Sequence, residues 1–114
     1  MAARQSELHA IGRQGEAIAC KILNGKTTKH KYPIDCQKRK DRISWEVKTV
    51  RANSKDCKIH ISHKSLKRKL DIANKLGYQL KLMIIVLFDN GEYEVYTGDI
   101  RQHCRPKQLD KMEL

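Results

Sequence analysis

Ile43-Ser44-Trp45-Glu46-Val47-Lys48-Thr49-Val50 alternates apolar and polar side chains over most of its length. A period of two marks a β-strand, because successive side chains leave a pleated backbone on opposite faces. Ile43, Trp45 and Val47, with Thr49 at the end, fall on one face, and Ser44, Glu46 and Lys48 share the other. The pattern predicts a strand with one buried face, Trp45 turned into the core and Glu46 and Lys48 side by side on the polar face.

Upstream, residues 32–37 form a short strand-like run that includes Pro33, and Lys38-Arg39-Lys40-Asp41 reads as the turn that sends the chain back. Residues 24–31 are basic and turn-rich. Before them, Leu8, Ile11, Gly15, Ile18, Ala19 and Ile22 recur at three- and four-residue intervals, the stripe of a helix over 5–23. Ser6 is placed to cap its start and Gly25 to stop it. Gly12 and Gly15 inside it each cost about 1 kcal/mol against Ala, but small residues let a helix approach a sheet closely.

Downstream, residues 51–56 are polar and loop-like, and 57–61 alternate as a third strand. Ser62 precedes a helix over 63–76 whose Leu66, Leu70, Ala73 and Leu76 form the core stripe, leaving Lys64, Lys67, Arg68 and Lys75 outside; Gly77 ends it. Residues 80–88 are almost wholly apolar, as in a strand covered on both faces. Asp89-Asn90-Gly91 is a hairpin signal, with residues 92–96 as the partner strand. The tail from 98 to 114 is polar, with a short helix expected after Asp99. Helix, three strands, helix, two strands is an α/β order, and it implies a central mixed β-sheet of about five strands flanked by helices, in a single domain over residues 1–114.

The charge balance narrows the partners. Lys and Arg number 24 against 13 Asp and Glu, a net charge of +11 with pI near 9.7. Such an excess draws in polyanions, and nucleic acid is the expected partner because phosphate neutralisation releases counterions. No apolar run approaches the roughly 18 residues that span a bilayer, and the N-terminus has no apolar signal region, so no membrane association and an intracellular, cytoplasmic and DNA-associated location are expected. Cys20, Cys36, Cys57 and Cys104 are scattered with no close pair, which reads as reduced thiols and not as a zinc site.

Asp35 precedes Glu46 by ten intervening residues centred on the Lys38–Asp41 turn, so a hairpin makes the two carboxylates cross-strand neighbours, with Lys48 on the face of Glu46. Two carboxylates and a lysine are what phosphodiester hydrolysis uses: oxygen ligands for a hard divalent cation, and an amine to orient or deprotonate water and face the phosphate.

Pro33-Ile34-Asp35 followed by Glu46-Val47-Lys48 resembles the P-D…(D/E)-x-K signature of the PD-(D/E)XK, or restriction-endonuclease-like, nuclease superfamily, with Ile34 inserted between proline and aspartate. Gly12-Arg13-Gln14-Gly15-Glu16-Ala17 resembles the opening helix of its Holliday-junction-resolvase-like members. That resemblance covers residues 8–100 and implies a restriction-endonuclease-like fold and a Mg²⁺-dependent DNA endonuclease in which Mn²⁺ can substitute. It implies Asp35, Glu46 and the backbone carbonyl of Val47 as metal ligands, Lys48 as the residue that positions water, and Glu16 bound to a metal-held water or a second ion.

Lys38, Arg39, Lys40 and Arg42 around the turn, and His63, Lys64, Lys67 and Arg68 on the second helix, are the candidate phosphate contacts. Aromatic residues make up 5%, too few for extensive base stacking, so duplex or branched DNA read through its backbone is expected. A shallow platform of this size makes a homodimer the expected form for cutting both strands. The competing readings are a non-catalytic basic nucleic-acid-binding module with the same fold, and a structural RNA-associated protein of another α/β fold with Asp35 and Glu46 far apart.

Overall fold

The structure, a computed structural model, describes residues 5–23, 26–27, 36–38, 42–53 and 58–113. Its order is α1 (Gln5–Leu23), β1 (Lys26–Thr27), β2 (Cys36–Lys38), β3 (Ile43–Arg51), β4 (Ile59–His60), α2 (His63–Leu76), β5 (Gln79–Leu87), β6 (Tyr93–Asp99), β7 (His103–Cys104), a 3-10 turn (Pro106–Gln108) and β8 (Asp110–Lys111). The main sheet runs β1-β2-β3-β5-β6-β8. Four strands, β2, β3, β5 and β6, form its body, and β1 and β8 add two residues at either edge. β2 runs antiparallel to β3 through Cys36↔Trp45 and Lys38↔Ile43, β3 parallel to β5 from Ile43↔Gln79 to Arg51↔Leu87, and β5 antiparallel to β6. The α/β class and the mixed sheet agree with the sequence.

β5 decides the layering. Leu82, Met83, Ile84 and Ile85 are wholly buried, as expected for a strand covered on both faces. Met83 and Ile85 join Trp45 and Val47 of β3 and Ala19 and Cys20 of α1 in one core. Leu82, Ile84 and Val86 pack on the other face with Ile59, Ile61 and Cys104, and Leu66 of α2 borders them. Ala73 and Leu80 extend the α2 side. One helix therefore covers each face of the sheet.

Local chemistry sets the joints. The Ser62 hydroxyl accepts the Ser65 amide at 3.2 Å, satisfying one of the free N–H groups at the start of α2. Gly77 ends the helix in the left-handed region (φ 74°), and the Tyr78 amide donates to the Ala73 carbonyl at 2.8 Å. Gly91, at φ 86°, turns the β5–β6 hairpin, where the Asn90 side chain accepts the Glu92 amide. Arg42 holds a left-handed φ of 54°, a strain of about 1–2 kcal/mol for a residue with a Cβ, and its carbonyl accepts the Gln79 amide where the parallel ladder begins.

Three expectations need correction. β3 is buried on both faces, since Ser44 and Glu46 are as enclosed as Trp45 and Val47; its polar face lies under α2 instead of water. The third strand shortens to Ile59–His60 and leaves the main sheet to pair with β7. Leu76 is 47% exposed at the last residue of α2, outside the core stripe. Beyond Asp99, the expected short helix is a three-residue 3-10 helix, Pro106–Gln108, set between β7 and β8. There the Lys111 ammonium hydrogen-bonds Glu94 and holds that carboxyl below its ordinary pKa. Cys20 and Cys104 are buried and not disulfide-bonded; burial pushes the Cys104 thiol up, away from the reactive thiolate.

The two glycines of α1 differ in kind. A Cβ on Gly15 would stand 1.7 Å from the Thr49 hydroxyl oxygen and 2.9 Å from its Cβ, whereas one on Gly12 meets nothing within 4 Å. Thr is branched at Cβ and has little freedom to yield. In urea unfolding, Gly15→Ala is expected to destabilise the protein by about 1–3 kcal/mol through overpacking. Gly12→Ala is expected to stabilise it by about 0.5–1 kcal/mol through helix propensity. Equal effects would contradict the close approach of α1 to β3.

Candidate active-site cleft around Glu46

Glu46 lies in the middle of β3 with only 1% of its surface exposed. In the parallel ladder Glu46 stands beside Leu82 and Lys48 beside Ile84, so both carboxylate and amine sit on the α2 side of the sheet. An isolated buried carboxylate is several kcal/mol unfavourable, so it must be paired. Here it is paired twice: the Lys48 ammonium lies 3.3 Å from Oε1, and the Lys69 ammonium lies 2.5 Å from Oε2. The Lys69 ammonium closes over Oε2 from the α2 side as a buried ion pair.

A cleft of about 310 Å³ opens beside this group, lined by Ile11, Gly12 and Glu16 of α1, by Glu46, Val47, Lys48 and Thr49 of β3, and by Lys69 of α2. The Gly15–Thr49 approach brings α1 close enough to β3 for Glu16, the next residue, to reach the same space. Glu16, Glu46, Val47 and Lys48 are thus brought together from two elements that are separate in sequence. Lys48, with its side chain 35% exposed, reaches from the buried carboxylate toward solvent.

Asp35, Arg39 and Lys40 lie outside the described residues, and Lys38 is described only as the last residue of β2. The described register ends at Cys36↔Trp45, the residue after Asp35 opposite the residue before Glu46. Among the described residues no three His, Cys, Asp or Glu side chains cluster; Glu16 and Glu46 are the carboxylates in the cleft. Arg42, His63, Lys64, Lys67 and Arg68 are exposed, as phosphate contacts must be. Arg42 stands outside the cleft, four residues before Glu46 on the same run of chain, or about 13 Å at the rise of an extended strand. Trp45 is 6% exposed and belongs to the α1-side core, as its place in the alternation required.

Lys69 was not among the sequence candidates. It follows Leu66 by three residues and precedes Ala73 by four, so it occupies the buried stripe of α2 at a position where an apolar residue is expected. A lysine on the core stripe is a signal of a buried acidic partner.

No known family, curated protein or solved structure matches the chain. Among the described residues no helix is long and apolar enough to cross a membrane.

The ion cluster makes an asymmetric stability prediction. Glu46→Ala leaves Lys69, 9% exposed, facing no counter-charge in the cluster and should cost about 3–5 kcal/mol. Lys48→Ala removes an amine already in contact with water and should cost less than about 1 kcal/mol. Denaturant unfolding of the two variants measures the difference; comparable losses would mean that Lys48, not Lys69, neutralises the buried carboxylate.

Proposed function

We propose that the protein is a metal-dependent endonuclease that hydrolyses phosphodiester bonds of duplex or branched DNA, with a restriction-endonuclease-like fold. The observation that carries this reading is the convergence of Glu16, Glu46, Val47 and Lys48 on one cleft, with Glu46 buried and Lys48 partly exposed. A carboxylate enclosed inside a strongly basic protein is unfavourable both for folding and for binding phosphates. Its presence is explained if it serves chemistry.

The donor set fits a hard divalent cation. Two carboxylates, Glu46 and Glu16, line the same open space, and their oxygens are hard ligands. Asp35, Glu46 and the carbonyl of Val47 would hold Mg²⁺ or Mn²⁺, with Glu16 acting through a water. Such an ion, when bound, supplies charge neutralisation for the phosphate and acidifies water. The chain's own residues do the remainder. Lys48, on the solvent side of Glu46, orients the attacking water and meets the phosphate oxygens. Lys69 holds the Glu46 carboxylate in place from the α2 side, so its orientation is fixed before any ligand arrives. Arg42, His63, Lys64, Lys67 and Arg68, with Lys38, Arg39 and Lys40, grip the DNA backbone, and a homodimer would carry one such site for each strand.

One observation favours the alternative, a basic nucleic-acid-binding module without catalysis: both oxygens of Glu46 already face a lysine, which is also the form of a purely structural ion cluster.

The two readings part in one experiment. Plasmid and four-way-junction DNA are incubated with Mg²⁺ or Mn²⁺ and wild type, Lys48→Ala or Asp35→Ala protein. Wild type should cut, and Lys48→Ala should be slower by about 10²–10⁴-fold while still binding DNA. Cleavage untouched by either substitution would remove the proposed site; binding without cleavage by wild type in both metals would establish the module.

A further inference from the structure

A second constellation lies away from the cleft, on the small sheet that the sequence did not foretell. β4 and β7 pair antiparallel with His60 directly opposite His103. The ring centroids are 4.5 Å apart, and the two Nδ1 atoms are separated by 3.1 Å. Both residues are exposed. Their neighbours on the ribbon are rigidly seated: Ile59, Ile61 and Cys104 belong to the core beneath, and the Ile61 amide donates to the Gln102 carbonyl at 2.7 Å. The imidazoles therefore stand on a fixed base, with their Nδ1 atoms turned toward each other on an exposed ribbon.

Neutral imidazole offers one ring nitrogen as a ligand, and two such nitrogens about 2.0–2.1 Å from one ion lie about 2.8–3.4 Å apart when they subtend an octahedral or tetrahedral angle. The observed separation falls inside that interval, so a shared ion needs little rearrangement of either ring. The Cys104 thiol points elsewhere and donates to the Arg105 carbonyl at 3.3 Å, so the ligands are two nitrogens, which suit borderline ions and not Mg²⁺.

We propose that His60 and His103 form a bidentate site for a borderline divalent transition-metal ion, Ni²⁺, Cu²⁺ or Zn²⁺, which cross-links β4 to β7. Water completes the coordination on the exposed side. Because β4 leads into α2 and β7 begins the C-terminal segment, the ion fastens that segment to the body of the protein. This site is independent of the Glu46 cleft and of any activity there.

Calorimetric titration of the full chain with Ni²⁺, in excess Mg²⁺ to occupy hard-ion sites, tests it. One equivalent should bind, and binding should weaken at least tenfold in His60→Ala and equally in His103→Ala, while His63→Ala binds as wild type does. With Cu²⁺, paramagnetic resonance should show two coordinated nitrogens in wild type and fewer in either variant. Thermal unfolding without metal checks that both variants are folded, and added Ni²⁺ should raise the melting temperature of wild type alone. If a folded His60→Ala or His103→Ala protein binds Ni²⁺ as tightly as wild type, or wild type binds no better than the double variant, the pair is only an N–H···N hydrogen bond and the proposal fails.

Discussion

The structure is organised around a negative charge that has been taken out of water. Glu46, almost inaccessible in the middle of β3, is tolerated because Lys48 and Lys69 bring two positive charges to its two oxygens. Neither lysine could do so if β3 were an ordinary surface strand. Lys48 must share its face, which the two-residue strand repeat ensures, and Lys69 must come down from α2, which requires that helix to lie over the polar side of β3. The placement of α2 is in turn fixed by Ala73 and Leu80 and by the αL glycine that turns the chain into β5. Burial of one carboxylate thus ties together the central strand, one helix and the parallel ladder. Ion clusters of this kind contribute little net stability compared with apolar packing.

On the opposite face α1 contributes differently. Among the described residues it carries no partner for Glu46; its role is to come close. The contact of Gly15 with Thr49 leaves no room for a side chain, and the adjacent Glu16 is thereby carried to the edge of the same cleft. Two helices on opposite faces of a sheet can line one cavity only past the edge of a strand, and the described β2–β3 pairing stops at Trp45, just before the cleft residues Glu46–Thr49.

How much of this could be read from the residues varies with how local the signal is. The α2 boundaries, the Ser62 cap, the Gly77 stop and the turn at Gly91 were legible because each is set by a few neighbouring side chains. The run Ile43–Val50 was legible as a strand, but its alternation could not say what covers the polar face; only α2, attached 12 residues after β3 ends, decides that. Lys69 was missed because a basic residue on a basic helix is easily taken for solvated charge, although its spacing from Leu66 and Ala73 marked it as inward-facing. The pairing of β4 with β7 joins two-residue strands about 43 positions apart, and no local pattern encodes it. Of the candidate site, Glu16, Glu46, Val47 and Lys48 line one cleft, while Asp35 lies outside the described residues.

The parallel ladder between Ile43–Arg51 and Gln79–Leu87 has a bearing on synthesis as well as on architecture. Residues 16, 46 and 69 are translated in that order, yet the strand that anchors the middle one comes last. A nascent chain released before residue 87 would own every lining residue of the cleft and still lack the template on which β3 is held. The cleft is therefore not complete until residue 87 has been made, a timing dictated by strand order alone.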